Sequence, residues 1–117
     1  MVISQGDVFW LDLGTPDGSG PGYRRPYMVI QNNVYNRSAI QTTVVCAITS
    51  NIDRALVPGN ILLRKGEGGL PRQSVINVTQ LYTIDKSRFT QKIGTLSHDR
   101  VRQALEGISR VLQPREP

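Results

Sequence analysis

Apolar and polar positions alternate in short runs through most of the chain, and only near the C-terminus does the apolar period lengthen. In GDVFWLDL, residues 6–13, Phe9, Leu11 and Leu13 fall on one face and Val8, Trp10 and Asp12 on the other, which predicts a strand. The segment 14–23 holds four glycines and two prolines, a composition that resists regular structure and predicts a long flexible connection. PYMVIQN, 26–32, predicts a second strand with Pro26 at its first position, where a missing donor does least harm. After the turn-rich link NVYNRSAIQ, the β-branched run TTVVCAITS, 42–50, suits a central strand buried on both faces. A loop over 51–59 leads to a fourth strand in NILLRK, and the loop GEGGLPRQ leads to the longest β-like run, SVINVTQLYTI. One helical turn in IDKSRF and a closing strand in KIGTL complete the series. Short strands joined by turns predict an antiparallel body, a small barrel or a strongly curled sheet.

The longer period begins at SHDRVRQALEGISRVLQ, 97–113. Val101, Ala104, Leu105, Ile108, Val111 and Leu112 recur at helical spacing, Ser97 suits the N-cap, Asp99 complements the positive end, and Pro114 stops the element. This predicts one amphipathic C-terminal helix laid on the sheet. Gly107 costs it about 1 kcal/mol relative to Ala, and close packing would explain its presence.

A length of 117 residues suits one domain, spanning 1–117. The formal charge of +5 favours polyanionic partners or acidic protein segments, although a solvated basic surface has the same composition. Eleven of the 14 basic residues are Arg, whose planar fork matches phosphate oxygens. A single cysteine, Cys46, makes no internal disulfide, and no Cys/His spacing predicts zinc. The N-terminus shows no secretory signal pattern and no apolar run approaches the ~20 residues of a bilayer span, so a cytoplasmic protein that does not engage the membrane is expected.

Most catalytic constellations are missing from the sequence. His98 is the sole histidine and falls at the expected helix start, where capping or surface placement accounts for it. The six Asp and three Glu show no metal-ligand spacing, and GEGG lacks the Lys and hydroxyl of a phosphate-binding loop, so neither metal nor cofactor is expected. What remains is arginine beside small hydroxyls. A phosphate under attack gathers charge on its non-bridging oxygens, and a rigidly placed guanidinium with one hydroxyl donor stabilises that charge. Arg25, braced by Pro26, and Thr49, at the end of the central strand, are the candidates. Each has a plainer reading: Arg25 as a surface ion-pair partner, Thr49 as a β-former whose hydroxyl bonds the backbone. Trp10 and Tyr23 are possible stacking platforms, but Trp10 in a strand suits core or interface and stays outside the expected site.

GDVFWLDL, a Gly-rich loop containing GS, RRPYMVIQNN, YNR, VVCAITSN and GLPRQSVINVTQLYTIDK follow one another at separations that resemble the MazF/PemK family of toxin endoribonucleases, the mRNA interferases of bacterial toxin–antitoxin systems. The match covers nearly the whole chain. It implies a mainly β, SH3-like barrel with a C-terminal helix, the MazF/Kid/CcdB-like fold, and a homodimer. It also implies metal-independent, sequence-specific cleavage of single-stranded RNA that inhibits translation, and an acidic, partly disordered MazE-like antitoxin. In that family the Arg of the Arg-Pro step and the Thr of the Ala-Ile-Thr step are the catalytic pair, which are Arg25 and Thr49 here. The resemblance further implies that Ser19, Gln80 and Arg88 contact RNA; Arg24 is added as a phosphate contact from its place beside Arg25. The expected reaction is attack of a 2′-hydroxyl on its own 3′-phosphate, leaving a 2′,3′-cyclic phosphate and a 5′-hydroxyl. Asn33 and Gln73 stand where many members carry Asp, which implies altered surface charge and base preference. A reading of another class is a CcdB-type toxin that binds gyrase and cuts no RNA. Those proteins resemble one another in a C-terminal Trp-Gly-Ile ending, and this chain ends RVLQPREP.

Overall fold

The computed structural model describes residues 1–13 and 24–116. The Gly-rich segment 14–23, with Ser19 and Tyr23, lies outside the described residues. Six strands form one antiparallel sheet: β1 (Asp7–Asp12), β2 (Arg24–Val29), β3 (Thr42–Thr49), β4 (Ile61–Leu63), β5 (Ser74–Asp85) and β6 (Gln91–Thr95), in the order β4-β5-β3-β2-β1-β6. A short helix α1 (Asn33–Asn36) links β2 to β3, and α2 (His98–Val111) follows β6. Among the described residues no helix is long and apolar enough to cross a membrane.

The sheet has a core on both faces, and strand alternation divides the apolar residues between them. Val8, Met28, Cys46, Ile48 and Ile76 face one cluster, which α2 covers with Ala104 and Ile108. Phe9, Leu11, Tyr27, Val29 and Val45 face the other, together with Ile84 and Phe89. Phe9 meets Phe89 edge to face, with centroids 5.1 Å apart. The faces of β1 and the burial of β3 on both sides match the alternation in the sequence.

β4 and β6 are the sheet's two edges, and no strand pairing joins them. A 3₁₀ turn at Glu67–Gly69 fills the gap by packing on β6. A Cβ on Gly69, which has φ +76°, would lie 2.4 Å from the Ile93 carbonyl oxygen, so only glycine permits this approach. β5 bends at a bulge: Asn77 and Leu81 pair with the consecutive residues Ala47 and Cys46, leaving Val78, Thr79 and Gln80 extra on β5. Asn60 stabilises the bulge by accepting from the Val78 N–H at 2.9 Å.

α2 is capped as its sequence predicts, with Ser97 Oγ accepting from the Arg100 N–H at 3.2 Å. Gly107 faces Gly59 so closely that a Cβ would lie 2.4 Å from the Gly59 carbonyl oxygen, which explains a glycine inside a helix. Two expectations fail at the helix end: Val111 and Leu112, though at helical spacing, are exposed. β2 also begins at Arg24, two residues before its expected start. Pro26 is tolerated inside it because pairing with β3 begins only at Tyr27, leaving that stretch partnered by β1 alone. Asn33 is no mere surface residue, since its Oδ1 accepts from the Gln5 N–H at 2.7 Å and ties the N-terminal segment to α1.

Candidate functional site

The site forms where β1, β2 and β3 end together. Tyr27 pairs with Ala47 and Val29 with Val45; the same register, continued to the ends of the strands, brings Arg25 level with Thr49. Arg25 alternates with Tyr27 and Val29, and Thr49 with Ala47 and Val45, so both candidates stand on the same face of the sheet. Arg25 is exposed and Thr49 half-buried. Both line a cleft of about 500 Å³.

Three segments build that cleft. Trp10, Arg24 and Pro26 contribute from β1 and β2, Ile48 to Asn51 from the end of β3, and Leu70 to Arg72 with Ser74 from the approach to β5. Its lining carries three guanidinium groups, on Arg24, Arg25 and Arg72, and no carboxylate, histidine or cysteine among the described residues. Such a lining attracts anions, and a phosphodiester is the anion that planar forks match best.

Local hydrogen bonds fix the Thr49 side chain. The Asn51 N–H donates to Thr49 Oγ1 at 3.1 Å, and Asn51 Oδ1 accepts from the Asp53 N–H at 3.2 Å, capping a 3₁₀ turn over Ile52–Leu56. A hydroxyl accepts and donates at once, so the bond from Asn51 fixes the oxygen and leaves its proton for a ligand. The backbone-bonding role that the sequence allows for Thr49 and its role as a donor are therefore compatible.

Arg24 takes a second position on the wall. Its guanidinium carbon lies 5.4 Å from the centroid of the Trp10 ring, a cation–π stack. Trp10, left out of the expected site, thus lines the cleft. The available signal was strand parity: Trp10 pairs with Pro26 and so shares a face with Arg24. Arg72, Ser50, Asn51 and Ser74 were also missed, because only the fold brings the approach to β5 beside the end of β3.

The remaining expected residues lie elsewhere. Arg88 Nη2 donates to the Asp12 carbonyl, at the end of β1, and does not line the cleft. Gln80 is exposed on the β5 bulge, also outside the lining. Ser19 lies outside the described residues. Burial pushes the Cys46 thiol up to about 12, and its Sγ donates to the Asn77 carbonyl at 3.0 Å, so it is no nucleophile. Among the described residues no three His, Cys, Asp or Glu side chains gather closely enough to hold a metal ion.

With this geometry in place, comparison with known proteins is informative. Residues 4–112 match the family model of PemK-like, MazF-like toxins of type II toxin–antitoxin systems. The chain is 42% identical over 112 residues to endoribonuclease MazF6 of Mycobacterium tuberculosis, covering 96% of this chain and 98% of that one. It is 40% identical over 109 residues to endoribonuclease EndoA of Bacillus subtilis, covering 91% and 93%. Its fold matches a mycobacterial endoribonuclease solved in complex with its cognate antitoxin, with a TM-score of 0.77 at 19% identity over 98% of this chain and 99% of that one.

Proposed function

The chain belongs to the PemK-like, MazF-like toxin family and is an endoribonuclease of the MazF type, and from that premise we propose that it cuts single-stranded RNA at short sequence motifs without a metal ion. The gyrase-binding alternative is not favoured. The observation that carries the proposal is the meeting of Arg25 and Thr49 in one cleft whose described lining holds arginines and hydroxyls and no carboxylate.

In the proposed reaction the 2′-hydroxyl of one nucleotide gives up its proton to solvent as its oxygen attacks the adjoining phosphorus, forming the 2′,3′-cyclic phosphate, while the P–O5′ bond breaks and the departing oxygen takes a proton from solvent to become a 5′-hydroxyl. Charge grows on the non-bridging oxygens in the transition state. Arg25 stabilises it with its fork, and Thr49 orients one phosphate oxygen with its hydroxyl proton. Arginine stays protonated near neutrality, because its pKa lies above ~12, so its contribution is electrostatic rather than that of a general base. Arg24 and Arg72 hold flanking phosphates. Ser19, Gln80 and Arg88 would also contact RNA.

The protein is proposed to act in the cytoplasm as a homodimer, checked by an acidic, partly disordered antitoxin. The net charge of +5 supports an acidic partner, and the structural relative solved with its cognate antitoxin supports the pairing. Purified protein incubated with mixed RNA in EDTA, followed by sequencing of 5′-hydroxyl ends, tests the chemistry. Discrete cuts in RNA and none in a matched DNA are expected; intact RNA would overturn the reading.

A further inference from the structure

Resting on the endoribonuclease reading, we propose that Trp10 and Arg24 form a base-reading subsite, in which an unpaired nucleobase beside the scissile phosphate stacks on the indole and displaces Arg24 to a phosphate. The cleft has two chemical halves, and strand parity separates them. Met28, Cys46 and Ile48 belong to the helix-covered core, and Trp10, paired with Pro26 in the β1–β2 register, stands on that same face together with Arg24. Arg25 and Thr49 alternate with residues of the other core. Trp10 and Pro26, both half-buried, therefore give one side of the cleft an apolar surface over the buried side chains of Ile48 and Leu70, beside the guanidinium and hydroxyl groups of Arg25 and Thr49. A nucleotide has the same division, a flat apolar base joined to an anionic phosphate, and unpaired bases are commonly bound by stacking on aromatic rings.

Trp10 is only half-buried, so part of the indole remains open to a ligand. The guanidinium 5.4 Å from its centroid occupies that surface with a planar cation, the kind of group a base replaces at similar geometry. Arg24 is exposed on a strand end and has room to swing toward a phosphate when displaced. The pair thus couples base stacking to phosphate contact.

Trp10 is the sole tryptophan of the chain, so its fluorescence reports this subsite directly. The probe is a fully 2′-O-methylated RNA octamer of randomised sequence, which cannot form the cyclic phosphate, compared with an octamer of the same backbone without bases. The base-bearing octamer should quench Trp10 emission, and the abasic one should bind without comparable quenching. Equal quenching by both would overturn the proposal. By anisotropy of a labelled octamer, Trp10→Leu should weaken binding about tenfold and Trp10→Phe should recover most of it. Circular dichroism identifies any variant that fails to fold, and the wild-type fluorescence comparison decides the matter without one. If Arg24 moves to phosphate, Arg24→Ala should lower the salt dependence, d log K/d log[salt], by about 0.7 in magnitude; an unchanged slope would contradict that movement. Cleavage is scored separately on unmodified RNA. Wild-type cleavage with no base-dependent quenching would sink the subsite and leave the endoribonuclease reading standing, whereas no cleavage at all would sink the reading itself.

Discussion

Arg100 and Arg25 differ in their surroundings: one sits on α2 against the Glu67 turn, and the other lines the cleft at the strand ends. Arg100, on α2, donates through Nε and Nη2 to the two carboxylate oxygens of Glu67 at 2.9 and 3.1 Å, and Glu67 also accepts from the Arg64 N–H at 2.6 Å. That network fastens α2 to the turn that bridges β4 and β6. Arg102 on the same helix has Asp99 and Glu106 beside it. The cleft gathers Arg24, Arg25 and Arg72 with no carboxylate in its described lining. Arg100 and Arg102 lie in carboxylate networks on α2, whereas the cleft brings Arg24, Arg25 and Arg72 together beside the hydroxyls of Thr49, Ser50 and Ser74.

The contrast breaks most sharply at Arg25. Arg25→Ala should lower the single-turnover cleavage rate on the order of 10² to 10³-fold in a rate assay, with circular dichroism confirming that the variant folds. Thr49→Val removes a neutral donor of about half that strength and should cost roughly tenfold in the same assay. On the scaffold side, Gly107→Ala should destabilise by about 1–3 kcal/mol through the clash with Gly59, despite the better helix propensity of Ala, and urea titration measures it.

Glu67→Gln should cost about 1 kcal/mol, a value discounted for the pair's partial exposure, and leave kcat intact. The Arg100 hydrogen bond, first among several causes, holds the Glu67 carboxyl below its ordinary range. The ionised pair's stabilisation is therefore complete above the ordinary carboxylate pKa and is lost as pH falls through the lowered folded-state value. Acid titrations of wild type and Glu67→Gln should converge at low pH. A constant gap down to the acid transition would contradict the assignment. The smallest effect belongs to Arg102→Ala, an exposed pair member, which should leave the melting temperature unmoved.

Much of this was legible in the sequence because it is local. The alternation in GDVFWLDL correctly divides β1 between two cores, and Ser97 caps α2 where the apolar period begins. Arg25 and Thr49 could be picked out because each sits beside a local marker, Pro26 in one case and the end of a β-branched run in the other. What stayed hidden depends on long-range packing. No periodicity shows that Gly68 and Gly69 will pack on β6, or that the approach to β5 will bring Arg72 into the cleft. Trp10 was expected in the core or an interface because a strand tryptophan is usually buried, and the cleft at the strand ends leaves its ring half-buried. Val111 and Leu112 keep helical spacing yet are exposed, because spacing alone carries no information about what, if anything, covers a face.

The central claim is that the cleft cuts RNA through the fork of Arg25 rather than through positive charge alone. Its most direct test is the single-turnover rate of Arg25→Lys at saturating RNA in EDTA, since lysine keeps the charge and loses the fork. A fall of about two orders of magnitude is predicted. A rate close to that of wild type would contradict the account.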